Sequence, residues 1–447
     1  MKILALFLLC LSFSVEAQVL KTKTLTLKDA VEYALQNKAD AKKAQLDIEN
    51  SHYQIVQARA NLYPTVSVSG NLLYNPILQE MIVAGDVFGQ SGQTMILTLG
   101  KKWGAQAGVS VTQNIFNQRV FVGLKEAETT REFYRINAKL TDEQVIERIA
   151  IAYYSVFVQK YQLATIENSY TFTKKTRNVI KSLWNNGLAK KIDLDRVDVQ
   201  LANISSEKTQ LVNAVQLYEN VLKFYMGMPI TQSIELADED FQVNSVMLDD
   251  DDIDVEDLTA FKVLEKQEEL LMLNKRAAKS RYFPTLALQG GYNYIGQSGK
   301  FLISKEKNND ILWSDYSQIV LALNIPIFNG FATRAAVYQA DVGLRKLQLD
   351  IADAKLGLEL DYQNSKSQVE NNYASVQSQK ENVQLAQQVL NNTQNNYLKG
   401  LANLTDLIEA QNTQVQAKNN YSNAVLQFKI AEIQLLKAKG GLNTLIQ

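Results

Sequence analysis

Apolar side chains along much of this chain recur by threes and fours. Leu194, Val197, Leu201, Ile204, Leu211, Val215, Tyr218 and Leu222 keep that rhythm with one interruption at Lys208, and Tyr362, Val369, Val376, Val383, Leu390 and Tyr397 stand seven apart. Such spacing draws one narrow apolar seam along an α-helix. The other faces are rich in Asn, Gln, Ser and Lys, so the pattern predicts rods that pack pairwise and keep a wetted face, outside or along a water-filled interior. The five prolines fall at 64, 76, 229, 284 and 326. The tracts between them predict helices over about 119–186, 190–226, 331–399 and 403–439. At about 1.5 Å per residue the first and third are rods on the order of 100 Å long.

Elsewhere the period changes to two. Val66, Val68, Gly70 and Leu72 alternate with Thr65, Ser67, Ser69 and Asn71, and Val109 and Val111 with Ser110 and Thr112. Leu286, Leu288, Tyr292 and Tyr294 stand against Thr285, Gln289 and Asn293, and Ile319, Leu321, Leu323 and Ile325 against Gln318 and Asn324. These segments predict strands over about 64–74, 105–115, 284–296 and 316–326. The glycine-containing polar stretches 75–104 and 297–314 read as exposed connections. Tyr74, Phe88, Trp103, Phe301, Trp313 and Tyr316 cluster near the strand ends; they suit a membrane-interface girdle, and they also suit the strand ends of a soluble sheet.

The two halves are copies. Asn186-Gly187-Leu188-Ala189 with Asp193-Leu194 is echoed 213 residues later by Lys399-Gly400-Leu401-Ala402 with Asp406-Leu407, and the same offset carries Gly227 to Gly440. Tyr63-Pro64-Thr65-Val66 corresponds to Phe283-Pro284-Thr285-Leu286, and Ile115-Phe116-Asn117 to Ile327-Phe328-Asn329. The fold class expected is mostly α with membrane β, built from a duplicated helix-strand-strand-helix-helix unit. The first repeat covers about 18–228 and the second 258–447, joined by an acidic linker over 229–257 that contains Asp249 to Asp252. Four strands cannot close a barrel, since membrane barrels begin at about eight, so several copies must pool theirs, and three copies give twelve.

Composition narrows the chemistry. Residues 1–17 have the form of a signal peptide, with Lys2, an apolar run from Ile3 to Phe13 and Ala17 before Gln18, and they contain the single cysteine, Cys10. One histidine, His52, remains. Thiol nucleophiles, disulfides, imidazole relays and common zinc sites therefore lack material, and no hydrolase elbow or phosphate loop is present. The expectation is no enzyme, no cofactor and no metal site. Lys and Arg number 46 against 47 Asp and Glu, interspersed, which argues against a nucleic-acid partner. Past the leader no apolar run reaches the roughly 20 residues of a membrane helix, which leaves a barrel as the way into a membrane.

The paired glycine turns, each followed six residues on by an aspartate (Gly187 to Asp193, Gly400 to Asp406), and the run Ile325-Pro326-Ile327-Phe328-Asn329-Gly330 resemble the TolC family of outer-membrane efflux proteins across the mature chain. The resemblance implies a homotrimer whose 12-stranded β-barrel sits in outer-membrane lipid and continues as an α-helical periplasmic tunnel. Its partners would be a periplasmic adaptor and an inner-membrane pump of the RND or ABC type. It implies adaptor-docking tips at Gly187, Leu188, Ala189, Gly400, Leu401 and Ala402, where simple helix capping with Leu188 or Leu401 covering the hairpin is the other reading. It implies a periplasmic gate at Asp406, Glu409, Asp193 and Tyr397. Asp406 and Glu409 share a helix face and suit a cation-favouring ring, or they offset the helix dipole. The family's latch arginine is replaced by Ala402, and Lys190 or Lys191 are the substitutes the sequence offers. Pro64, Pro284 and Pro326 mark barrel-to-helix junctions. A periplasmic coiled-coil adaptor is the competing reading; it would show one hairpin between compact β modules.

Overall fold

The computed structural model describes residues 24–89, 92–237, 243, 253–301 and 311–446. The leader 1–17 with Cys10, the acidic run Asp249 to Asp252 and part of the 297–314 connection lie outside the described residues. In chain order the elements are β1 (Thr24–Leu25), α1 (Leu27–Asn37), α2 (Ala39–Ala60), β2 (Thr65–Tyr74), β3 (Gln79–Ala84), β4 (Thr94–Leu99), β5 (Trp103–Asn117) and α3 (Gln118–Asn185). They continue as α4 (Lys191–Met226), β6 (Glu235–Leu236), α5 (Thr259–Lys279), β7 (Thr285–Ser298), β8 (Leu312–Asn324), α6 (Ala332–Leu398) and α7 (Leu404–Ala438). Two compact units cut across the sequence repeats. A helical unit takes the described parts of Met1–Lys43, Ala138–Leu258 and Leu356–Gln447; a sheet unit takes those of Ala44–Asn137 and Thr259–Lys355.

In the helical unit the thickest core gathers Ala30, Val31 and Ala34 of α1, Ile146, Ile149, Tyr153 and Val156 of α3, Leu222 and Met226 of α4, Ile433 of α7 and Leu442 of the tail. Thr26 and Asp29 start α1 with a capping box, Thr26 Oγ1 accepting from Asp29 N at 3.1 Å and Asp29 Oδ2 accepting from Thr26 N at 3.3 Å. The buried Tyr153 donates its hydroxyl to Leu25 O at 3.1 Å, which ties α3 to the parallel β1–β6 pair. Farther along the rods the apolar seam thins, as the heptads require. Leu194, Val197, Ile204, Val215 and Leu222 are buried, but Tyr218 is exposed. A helix of 3.6 residues per turn drifts off a strict 3.5 repeat, and beside Tyr218 the Lys160–Glu219 ion pair at 2.9 Å joins α3 to α4. Between α3 and α7 the seam is polar: Gln411 Nε2 donates to Ser169 Oγ at 2.8 Å and Thr173 Oγ1 at 2.9 Å, and Gln162 Nε2 to Asn423 Oδ1 at 3.0 Å.

In the sheet unit, β2, β5, β7 and β8 form one antiparallel sheet in that order. Register keeps like with like. Val66, Val68 and Leu72 lie opposite Val111, Val109 and Ala105, while Ser67 and Ser69 lie opposite Ser110 and Gly108. The apolar face runs on to Leu321 and Leu323 of β8; the polar face carries the Ser67–Ser110 hydroxyl contact at 2.8 Å and the Gln106 Nε2 donation to Asn293 Oδ1 at 3.2 Å. At the strand ends away from the helices, the Trp313 ring crosses Gly296 and stacks on Tyr294 with centroids 4.8 Å apart, and Trp103 contacts Tyr74 and Phe301.

The strands depart from their predicted limits for local reasons. β5 is longer at both ends than 105–115, with a bulge between Asn114 and Phe116. β8 ends at Asn324 rather than 326, because Pro326 has no N–H to give a ladder. Pro64 and Pro284 each stand one residue before a strand, where a missing donor costs little. The connection 75–104, expected as an exposed loop, contains the β3–β4 hairpin. Its apolar residues occupy both faces, so it lacks the alternation by which strands are recognised. Among the described residues no helix is long and apolar enough to cross a membrane.

Gly227 ends α4 at φ 72°, and a Cβ there would meet Asn37 O at 2.9 Å. Gly400, at φ 74°, has open space around it. Gly227→Ala is therefore expected to destabilise by about 2–4 kcal/mol and Gly400→Ala by about 1–2 kcal/mol. Thermal melts of the detergent-solubilised protein, followed by circular dichroism at 222 nm, should rank the two variants in that order.

Candidate functional site

The two tips of the helical unit are built alike. Gly187 at φ 75° and Gly400 at φ 74° reverse the chain after α3 and α6. Each closes a paired cap: Leu188 N bonds Leu183 O at 2.8 Å and Gly187 N bonds Trp184 O at 2.9 Å; Leu401 N bonds Asn396 O at 2.8 Å and Gly400 N bonds Tyr397 O at 3.0 Å. These bonds satisfy carbonyls that a helix end leaves open, and the left-handed residue is a glycine because a Cβ is strained there. The leucines do not cover the hairpins. Leu188 is 76% and Leu401 75% exposed, while Ala189 and Ala402 are half-buried. The second residue of each turn thus projects an apolar side chain into solvent instead of folding it back.

The tips differ at the next helix. α7 begins with a capping box in which Asn403 Oδ1 accepts from Asp406 N at 3.0 Å and Asp406 Oδ2 accepts from Asn403 N at 3.1 Å. The Asp406 carboxylate is thereby held against the positive end of its own helix, which is the dipole role weighed from sequence. Glu409 stands exposed on the same face one turn on. α4 begins at Lys190 with no side-chain cap. Asp193 faces Arg196 at 3.9 Å, and Arg196 Nη1 donates to Thr405 Oγ1 at 3.2 Å, which joins the start of α4 to the start of α7. Gln200 Nε2, one turn farther along α4, repeats that bridge by donating to Asn412 Oδ1 of α7 at 2.7 Å.

Arg196 is the cation that sequence reasoning missed. Of the two lysines that the sequence offers in place of the absent arginine, the Lys191 ammonium lies 4.0 Å from Asp195 and Lys190 takes the N-cap place. The signal for Arg196 was its position three residues after Asp193, a helix-face neighbour. Tyr397 sits half-buried where two small clusters meet, among Ile180, Leu194, Val197 and Leu404 on one side and Leu390, Leu407 and Ala410 on the other. Burial, and then the negative charge of Asp193, push its phenol pKa up. Asp193 and Tyr397 are thus brought together, while Asp406 and Glu409 stand apart from them on an exposed face. His52 lies exposed in α2 against the Tyr53 ring. Among the described residues no cluster of His, Cys, Asp and Glu could hold a metal.

The family model described as outer membrane efflux protein matches residues 262–441. The outer membrane protein TolC of Vibrio cholerae is 21% identical over 350 residues, covering 75% of this chain and 77% of that protein. Among solved structures, the outer membrane protein VceC of Vibrio cholerae aligns with a TM-score of 0.72 at 16% identity over 93% of this chain and 96% of that one. The CmeC outer membrane channel of Campylobacter jejuni aligns at 0.70 and 14% identity over 93% and 85%. The MtrE outer membrane channel of Neisseria gonorrhoeae aligns at 0.69 and 16% identity over 93% and 89%. Identities this low carry a likeness of fold.

A phenol whose pKa is raised by folding contributes stability that is full below the unfolded value, about 10, and is lost as pH climbs through the folded value. The phenolate absorbance difference between the native chain and Tyr397→Phe should accordingly show a midpoint above that of free tyrosine. Asp193→Asn should move the midpoint down.

Proposed function

We propose, on the premise that this chain is an outer membrane efflux protein of the TolC family, that three copies pool their strands into a 12-stranded barrel in the outer membrane and form the exit duct of a tripartite export system. The observation that carries this reading is the four-stranded sheet, one face of which carries Val66, Val68, Val109, Val111, Ile319, Leu321 and Leu323, and whose edges, β2 and β8, have no second neighbour among the described residues. In lipid an open edge leaves each backbone group without a partner, at several kcal/mol apiece. Strand directions alternate across the sheet and the strand number is even, so β8 of one copy joins β2 of the next antiparallel without breaking the alternation. Two copies would give eight strands, a barrel whose interior side chains fill; three leave a passage. The polar face of Ser67, Ser110, Gln106 and Asn293 then lines water, and the face of Val66, Val68, Ile319 and Leu321 meets acyl chains.

The helical rods extend the duct into the periplasm. Substrate reaches it from an inner-membrane pump of the RND or ABC type through a periplasmic adaptor. The exposed Leu188 and Leu401 are the apolar knobs that a helical partner can seat in a groove, with Gly187, Ala189, Gly400 and Ala402 allowing close approach. At the inner entrance Arg196 bridges Asp193 to Thr405 as the latch. Three copies of Asp406 and Glu409 set six carboxylates around the opening and favour cations. A periplasmic adaptor fits the chain less well, because a sheet with an apolar face and open edges has no place in a water-filled compartment.

Two results test the reading. Val68→Arg places a charge on the lipid face and should cost about 2–4 kcal/mol at the bilayer midplane, so the detergent-resistant, heat-modifiable trimer should vanish from outer-membrane fractions. Ser69→Arg, one residue along on the water face, should keep it. In planar bilayers, the Asp406→Asn and Glu409→Gln double variant should lose most of the channel's preference for potassium over chloride. An unchanged reversal potential would dismiss the carboxylate ring.

A further inference from the structure

Among the described residues β3 and β4 pair only with each other. Ile82 lies opposite Ile96 on one face, 72% and 64% exposed; Met81 lies opposite Leu97 on the other, 43% and 40% exposed. Glu80 is the one charged residue in the two strands. A lone two-stranded ribbon is marginal in water; although Glu80, Thr94 and Thr98 share the face of Ile82 and Ile96, this one leaves large apolar side chains in water whichever face turns outward. Both faces need a cover.

We infer that the β3–β4 hairpins of three copies pack on one another in a ring across the outer mouth of the barrel. The Ile82 and Ile96 face of each meets the Met81 and Leu97 face of the next. The inference rests on the trimeric reading above and goes beyond it by giving the duct a second, apolar constriction at its outer end. Three observations choose other copies of this chain as the occupant. A cyclic head-to-tail contact uses two different faces of each member, and this hairpin offers two, whereas one lipid surface or one partner would cover a single face.

The hairpin also stands at the subunit seam. Asn75 N bonds Lys102 O at 2.7 Å and carries the β2–β5 ladder one step past the Tyr74–Trp103 pair. β3 therefore rises from β2, an edge strand onto which the next copy would close. The sizes agree as well. Twelve strands spaced about 4.8 Å apart and tilted about 40° enclose a mouth about 24 Å across. Six-residue strands reach about 20 Å, so three hairpins leaning inward span the opening. A constriction lined by Ile, Met and Leu resists ions by shedding water, so it passes apolar or bulky cargo that pushes the hairpins apart more readily than small ions.

The test uses the full chain in outer membranes. Ile82→Cys with Leu97→Cys places thiols on opposite faces of one hairpin, where they cannot pair within a copy. Oxidation with copper phenanthroline should give covalent dimers and trimers on non-reducing gels, and each single variant should stay monomeric after denaturation. Replacing residues 79–99 by a short Gly-Ser turn should raise single-channel conductance about twofold or more. Heat-modifiable trimers that form channels of unchanged conductance and give no cross-link would overturn the ring and leave the trimeric duct standing. Loss of both trimers and channels in the native chain would remove the duct reading and the ring with it.

Discussion

The backbone hydrogen bonds that β2 and β8 leave unmade govern much of this structure. Among the described residues β5 and β7 are paired on both sides through 10 to 14 residues of register, whereas β2 and β8 each have one neighbour. Natural sheets blunt such edges with charge, proline or a covering helix. Here Asp315 is the one charged residue in the two edge strands, and its carboxylate accepts a hydrogen bond from Tyr292 Oη at 2.9 Å. Ile319 is 82% and Val68 77% exposed on the same face. The edges thus stay open among the described residues while large apolar side chains stand uncovered on one face, which is the pairing that the proposed pooling of strands in lipid would satisfy.

The helical unit solves a different problem with the same economy of core. Rods this polar cannot be held by a thick apolar interior throughout, so the thickest packing lies around Tyr153, Met226 and Ile433, with a second cluster between α6 and α7 around Val369, Val425 and Phe428. Elsewhere adjacent helices are laced by pairs such as Arg177–Asp198 at 2.8 Å and Lys208–Glu167 at 3.0 Å, and by the amide and hydroxyl contacts of Gln411 and Gln162. Solvent-accessible ion pairs contribute little each. Their value lies in fixing register along a seam where few side chains interlock.

Much of the helix and strand pattern was legible in the sequence because period and punctuation agreed: one apolar seam began after Gly187, the other ended before Gly400, and alternation began after Pro64 and Pro284. What was not legible had physical causes. The β3–β4 hairpin carries apolar residues on both faces, so no period of two distinguishes it from a loop with scattered hydrophobes. The seam residue Tyr218 lies on the heptad but off the buried stripe of α4, because the two periods differ. Leu188 and Leu401 were open to a covering role that their backbone caps do not need, since those caps close through main-chain atoms alone. The compact units draw together residues far apart in sequence, as Tyr153 and Leu25 are, and no local signal reports such contacts. At the candidate site, the glycines, Asp193 and Asp406 stand out by their place in the duplication, and Tyr397 by the family resemblance alone. Arg196 has no cationic counterpart in the second copy, where Glu409 stands, so the comparison of halves passed over it.

That asymmetry changes how the tips count. Duplication gives each chain two near-identical glycine turns with equally exposed leucines, so three copies arranged as proposed would approximate sixfold symmetry at the tips. The approximation fails one residue into the following helices, where one tip carries the Asn403 and Asp406 cap and the other begins uncapped at Lys190. A ligand that feels only the leucine knobs finds six equivalent places, and one that also touches the cap finds three. The stoichiometry of whatever binds there is therefore set by how far along the helix its footprint extends.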